Sequence, residues 1–186
     1  MSSDVTNALR RCADEKDKSA YRELFQLTYE ELHKRAKKLH FARRNRTIQP
    51  TAVVHEAYIK LSNAGLAGVR DSKHFYSLAA ETMRDILVDN YRRKQALKRG
   101  GGRPKAEGFD LDQIATDQTN WTAVDLSLER LKRENARQYE IVMLHFFSGL
   151  EFTKIADWLE KNPKTIGRDW KAAKAFLAKS IDDLAD

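Results

Sequence analysis

The stretch SGLEFTKIADWLEKNPKTIGRDWKAAKAFL, residues 148–177, decides how the rest of the chain is read. Gly149 is a stop for the helix before it, because glycine enters the left-handed conformation that ends helices without a Cβ clash. Asn162 followed by Pro163 is a start. The Asn side chain can take a free N–H of the first turn, and proline fits there because that turn needs no N–H from it. These marks predict one helix over Phe152–Glu160 and another over Lys164–Leu184. Two helices separated by about four residues have the spacing of a helix-turn-helix, although any small helical bundle repeats its apolar residues at similar intervals.

At roughly 100° per residue, Ile166, Trp170, Ala173 and Leu177 fall on one side of the last helix, a stripe suited to closing a core. The opposite side carries Lys164, Arg168 and Lys171, with Thr165 at its flank. A cationic face near a helix N-terminus suits the major groove, where Arg pairs with two acceptors on guanine and Lys meets phosphates. A solvated surface helix carries the same residue types, so it is the turn chemistry before this helix that favours duplex DNA.

Breakers are few outside this stretch. Eight glycines and three prolines in 186 residues, set among many Leu, Ala, Lys, Arg and Glu, predict an all-α fold. Helices over Trp121–Arg133 and Arg137–Phe147 would complete a C-terminal unit of four. Towards the N-terminus, a short helix is predicted over Asp4–Cys12, and a second, capped by Ser19, carries Tyr21, Leu24, Phe25, Leu27, Tyr29, Leu32, Ala36 and Leu39 at helical spacing. A third begins at Pro50 and runs to about Leu61, burying Val54, Ala57 and Tyr58. A fourth, capped by Ser72, extends to Lys98, with Phe75, Leu78, Ala79, Met83, Ile86 and Asn90 near one stripe and Arg84, Val88, Tyr91 and Gln95 on the other.

Between the two halves lie Gly100, Gly101, Gly102 and Pro104, inside a run from Arg92 to Lys105 that holds seven basic residues and no acid. Such a run cannot continue a regular element. It predicts two small helical domains, 1–98 and 119–186, joined by an extended, mobile linker over 99–118 that Phe109, Leu111 and Ile114 can dock locally. No Gly-Lys-Ser/Thr follows the three glycines, so they do not read as a phosphate-binding loop.

A net charge of +7 and a pI near 9.5 draw the chain to polyanions, whether nucleic acid, anionic lipid or acidic protein. A second basic run, from Lys34 to Arg46, has seven Lys or Arg residues and no acid. The start, Met-Ser-Ser-Asp-Val, has no basic region followed by an apolar one, and no apolar run approaches the roughly 18 residues of a bilayer span. The expectation is a cytoplasmic protein with no membrane partner. The single cysteine, Cys12, can form no internal disulfide and reads as a small packing residue.

Residues 137–150, 155–159 and 164–177, RQYEIVMLHFFSGL, IADWL and KTIGRDWKAAKAFL, resemble region 4 of the extracytoplasmic-function (ECF) sigma factors of bacterial RNA polymerase. TIQPTAVVHEAYIKL, residues 47–61, and HFYSLAAETMRDILVDNYRR, residues 74–93, resemble region 2 of the same family. The resemblance implies a non-enzymatic subunit, with no cofactor or metal, whose partners are core RNA polymerase and promoter DNA. It assigns minus-35 DNA to the Lys164, Thr165, Arg168 and Lys171 face. Single-stranded minus-10 DNA goes to the fourth helix and the loop before it, through His74, Tyr76, Arg84, Tyr91, Arg92 and Arg93. Aromatic rings there would stack on unpaired bases while arginines meet phosphates, although Tyr76 also fits a core position. Core polymerase goes to the start of the third helix, at Gln49, Thr51, His55 and Glu56.

The chain departs from the family pattern twice. Where the turn before the recognition helix usually has Gly and an apolar residue, it has Glu160 and Lys161. Where most members have an acidic stretch that meets the polymerase clamp, it has Gln49, Pro50, Thr51 and Ala52. A variant group with that loss is associated with Ser/Thr kinases, and a phosphate on Thr51 would restore roughly −1.5 to −2 charges at a helix start beside Arg43, Arg44 and Arg46. The bland reading is that Thr51 caps or packs that helix. An anti-sigma partner is not legible.

Two rival classes fit parts of the same sequence. A helix-turn-helix regulator could bind DNA without joining polymerase. An enzyme would need ligand or triad spacing, and His33, His40, His55, His74 and His145 form none, with no HisGluXaaXaaHis, paired cysteines or Gly-Xaa-Ser-Xaa-Gly.

Overall fold

Small polar side chains set where α4, α5, α6 and α8 begin. The computed structural model describes residues 2–12, 18–41, 49–66, 68–97 and 120–184, and among these every regular element is helical. The elements are α1 (Ser2–Cys12), α2 (Lys18–Phe41), α3 (Pro50–Ala64), α4 (Ser72–Leu97), α5 (Trp121–Glu134), α6 (Ala136–Val142, continued by a π-helical segment over Met143–Phe147), α7 (Phe152–Trp158) and α8 (Pro163–Asp182). The Asn162 side chain accepts the Lys164 N–H at 2.9 Å, and Pro163 opens α8 as the sequence predicts. Asn120 caps α5, and Asn135 both closes α5 and caps α6 by accepting the Gln138 N–H at 3.1 Å.

Three local readings need correction. Asp71, not Ser72, caps α4: its carboxylate accepts the His74 N–H at 2.8 Å, while Ser72 is buried and its own N–H donates to Thr6 Oγ1. Ser19 lies one residue inside α2, which starts at Lys18. The helix predicted over Arg137–Phe147 changes pitch at Met143, where the Ser148 N–H bonds back to the Met143 carbonyl. An apolar run that suits the α pitch also suits one wider turn, so periodicity did not separate them.

Helix α2 packs between α1 and α3, which both pack on α4, and α5, α6, α7 and α8 pack with one another. The second group closes on Trp121, Leu128, Ile141, Phe147, Ile155, Ile166 and Leu177, all within 1% of full burial. Removing each such side chain from water contributes roughly 1.5–3 kcal/mol. Helix α4 also meets α5 and the π segment, so it is covered on two sides. Its buried residues include both predicted stripes: Phe75, Ala79, Met83 and Ile86 on one, Val88 and Tyr91 on the other. The predicted linker, residues 99–118, and the Arg43, Arg44 and Arg46 cluster lie outside the described residues.

Candidate nucleic-acid interface

Helix α8 is divided as its periodicity requires. Ile166, Ala173 and Leu177 are fully buried and Trp170 is nearly so, its ring edge against His145 at 4.8 Å between centroids. Lys164, Arg168 and Lys171 stand exposed on the opposite side, with Thr165 half-buried beside them. No side chain among the described residues forms an ion pair with those three cations. Asp169, the acid within this segment, is held by Arg137, whose Nε and Nη2 donate to its two carboxylate oxygens at 2.8 and 3.3 Å. That pair neutralises a charge that would otherwise repel phosphate.

Two residues shape the approach to this face. Gly167 lies between Ile166 and Arg168, and a Cβ built there would meet nothing within 4 Å, so internal packing does not demand glycine. In the turn before α8, Glu160 adopts φ 52°, the left-handed conformation that glycine usually supplies. The Lys161 N–H then bonds to the Ala156 carbonyl at 2.9 Å. The departure from the family pattern at this turn therefore changes the side chain and keeps a left-handed backbone.

The candidates on α4 are in different surroundings. Tyr76 is 1% exposed, with its hydroxyl donating to Glu31, the Lys154 ammonium 4.8 Å from its ring centre, and Trp158 beside it. Burial, then Glu31, pushes its hydroxyl pKa up. Arg84 donates to Glu129 at 3.0 Å and to the Tyr139 hydroxyl at 3.3 Å, and lies 3.5 Å from Asp125. Burial works against its charge, but Tyr139, Asp125, Asp85 and Glu129 raise its pKa overall. Burial pushes Tyr139 up to about 12, against the pull of Arg84. Tyr91 is 8% exposed, and burial raises its pKa too. Arg92 reaches Asp125 at 3.2 Å, and Arg93 is exposed. His74 is half-buried and its Nδ1 accepts the Arg70 N–H at 3.4 Å.

The α3 candidates lie in the first two turns of the helix and at its N-cap. Gln49, Thr51 and His55 are exposed, and Glu56 is half-buried with Lys60 3.6 Å away. The His55 ring lies 5.9 Å from Phe25 and 6.2 Å from Tyr29. Ile59, one turn beyond His55, is 60% exposed and borders an apolar cleft of about 290 Å³ lined by Tyr21, Phe25, Tyr58 and Leu66. Sequence reasoning passed over Ile59, because burial at Leu61 and exposure at Ile59 look alike in a one-dimensional pattern. It also passed over Asp125, Glu129 and Glu140. Their signal was charge: acids on α5 and α6 that meet Lys73, Arg84 and Arg92 of α4.

Among the described residues, no group of His, Cys, Asp and Glu is placed to hold a metal ion, and no helix is long and apolar enough to cross a membrane. A protein-family model described as ECF sigma factor matches residues 2–183. No curated protein and no solved structure matches the chain.

Proposed function

Since the chain belongs to the ECF sigma factor family, we propose that it reads the minus-35 element as duplex through α8 and holds separated minus-10 strands on α4 and the loop before it. An ECF sigma factor binds core RNA polymerase and promoter DNA and directs the start of transcription. The observation that carries the residue-level reading is the α8 face itself: Lys164, Arg168 and Lys171 exposed together, opposite a buried stripe, on a helix capped by Asn162. A guanidinium in the groove discriminates between bases, whereas ammonium groups at phosphates hold any sequence. Arg168→Ala should therefore cost about 1–3 kcal/mol on the preferred site and relax selection there, and Lys171→Ala should weaken all sites evenly. Unchanged minus-35 selection by Arg168→Ala holoenzyme in a binding-and-sequencing experiment would contradict the assignment.

On α4, Tyr91 with Arg92 and Arg93 supplies a ring and two cations near the helix end, and His74, Tyr76 and Arg84 continue the set towards its start. Permanganate footprinting reads their part in strand opening: Tyr91→Ala and Arg92→Ala holoenzymes should open promoter DNA more slowly than wild type.

Core polymerase is met by Gln49, Thr51, His55 and Glu56, and the family's usual acidity is supplied by a Ser/Thr kinase acting on Thr51. Two features support this. Thr51 is exposed in the first turn of α3, and no side chain caps that turn, since Gln49 makes no capping bond. A phosphate there meets the positive end of the helix dipole. In a titration against core polymerase, the phosphorylated chain should bind more tightly than unmodified chain and Thr51→Ala, with Thr51→Glu in between. Equal affinity of phosphorylated and unmodified chain would exclude the switch.

A further inference from the structure

Gly167 is a glycine that the fold does not ask for. Gly65 and Gly149 hold positive φ angles of +79° and +78°, and a Cβ on Gly149 would sit 3.0 Å from Arg35 Cβ. Gly167 has neither reason, since it lies within α8 at no positive φ and a Cβ built on it meets nothing within 4 Å. A glycine past the first turn weakens a helix relative to alanine, because the unfolded chain has more freedom to lose. No contact inside the chain requires it.

Its neighbours say what it faces. Lys164, three residues before it, and Lys171, four residues after it, share its ridge of the helix, and Arg168 adjoins it; all three are exposed. Gly167 is therefore a notch between two ammonium groups on the face proposed for duplex DNA. A phosphate gains nothing in that notch. Gly167 is the fifth residue of α8, and the N–H groups that lack a partner within a helix belong to its first turn. What remains is bare Cα surface, whose complement is a small apolar group. In the major groove that group is the C5-methyl of thymine, which none of the other three standard bases carries.

We infer that Gly167 is a specificity-determining residue of α8, a socket for a thymine methyl group at a base pair beside the guanine that Arg168 reads. The two residues divide the reading. The Arg168 guanidinium bonds to the O6 and N7 acceptors of guanine, and the missing side chain at Gly167 lets the helix close on the thymine methyl at van der Waals distance. Lys164 and Lys171 anchor the same ridge to phosphates. This inference rests on the duplex reading of α8 given above.

The test exchanges one methyl group between protein and DNA. Binding and sequencing with wild-type, Gly167→Ala and Arg168→Ala holoenzymes, on a duplex library randomised across the minus-35 region, locates the thymine and guanine positions. The best wild-type duplex is then made with thymine or with uracil, which lacks the C5-methyl, at the thymine position. Wild type should bind the uracil duplex about fourfold more weakly, the effect of one buried methyl group. Gly167→Ala should lose about tenfold on the thymine duplex and prefer uracil, because its own methyl now fills the socket. Its denaturant midpoint should be no lower than that of wild type, so a folding defect cannot account for the loss. Equal binding of the two duplexes by wild type, or no selected thymine, would overturn the inference. A Gly167→Ala holoenzyme that loses the same factor on every sequence would overturn it too, since that loss reports the sugar-phosphate backbone. Arg168→Ala separates the two levels. An unchanged guanine preference removes the duplex reading of α8 itself, whereas a relaxed guanine preference, with thymine preference unmoved in Gly167→Ala, removes the socket alone.

Discussion

At the scale of single residues, one position before α8 and one within it carry backbone costs of opposite kinds. Glu160 holds a left-handed φ of 52° that costs a residue with a Cβ roughly 1–2 kcal/mol. Glu160→Gly should raise stability by about 0.5–1 kcal/mol after the glycine's unfolded-state entropy is subtracted, read as a higher denaturant midpoint at unchanged slope. Gly167 is the reverse case, a glycine inside α8 with open space around a built Cβ. Gly167→Ala should also stabilise, by about 0.4–1 kcal/mol. A rise in stability with a loss of duplex affinity would mean that DNA approaches the backbone there. The tyrosines set an alkaline limit. Tyr139 is raised from 10.0 to about 12, so the unfolded chain releases its proton first and the stability it contributes is full below pH 10 and is lost as pH climbs towards 12. Tyr58, Tyr76 and Tyr91 shift in the same direction. Stability measured by denaturant should fall across that window, and a flat profile would contradict the burial. Arg168 was legible in the sequence because angle and capping alone place it. Tyr76 and Arg84 were not, because their partners Glu31, Trp158, Asp125 and Glu129 lie about 40 or more positions away, which no local pattern reports.

At the scale of elements, the starts and stops were the most readable part of the chain. Asn162, Pro163, Pro50 and Gly149 each act where their chemistry predicts. Ser72 failed because Asp71 beside it is the better acceptor, and the π segment was hidden in an apolar run. Asn162→Ala should cost about 1 kcal/mol through the lost cap on α8. Arg137 offers a sharper test of the role proposed for α8. It binds Asp169 with both nitrogens, and Asp169 sits next to Arg168 in α8. Arg137→Ala exposes that carboxylate to the groove, so duplex affinity should fall although Arg137 is not assigned to DNA. The fall should shrink when Asp169→Asn is added, and independent, additive losses would refute the coupling.

For the molecule as a whole, composition reported the helical class and the affinity for polyanions, and family likeness supplied what composition could not, the polymerase. The relation between the halves was the least legible feature. It depends on Asp125, Glu129 and Glu140 meeting Arg84, Arg92 and Lys73 across elements far apart in sequence. With a net charge of +7, non-specific duplex binding should weaken steeply as salt rises, and the logarithmic slope should shrink by about one for each α8 cation removed. The most direct measurement is transcription in vitro with purified core polymerase, a pool of genomic promoter fragments, and the chain in unmodified and Thr51-phosphorylated forms. The account predicts transcripts from a discrete set of start sites that depend on the chain, with the set redistributed by Arg168→Ala. Absence of chain-dependent transcripts with both forms, together with duplex binding that persists without polymerase, would contradict it.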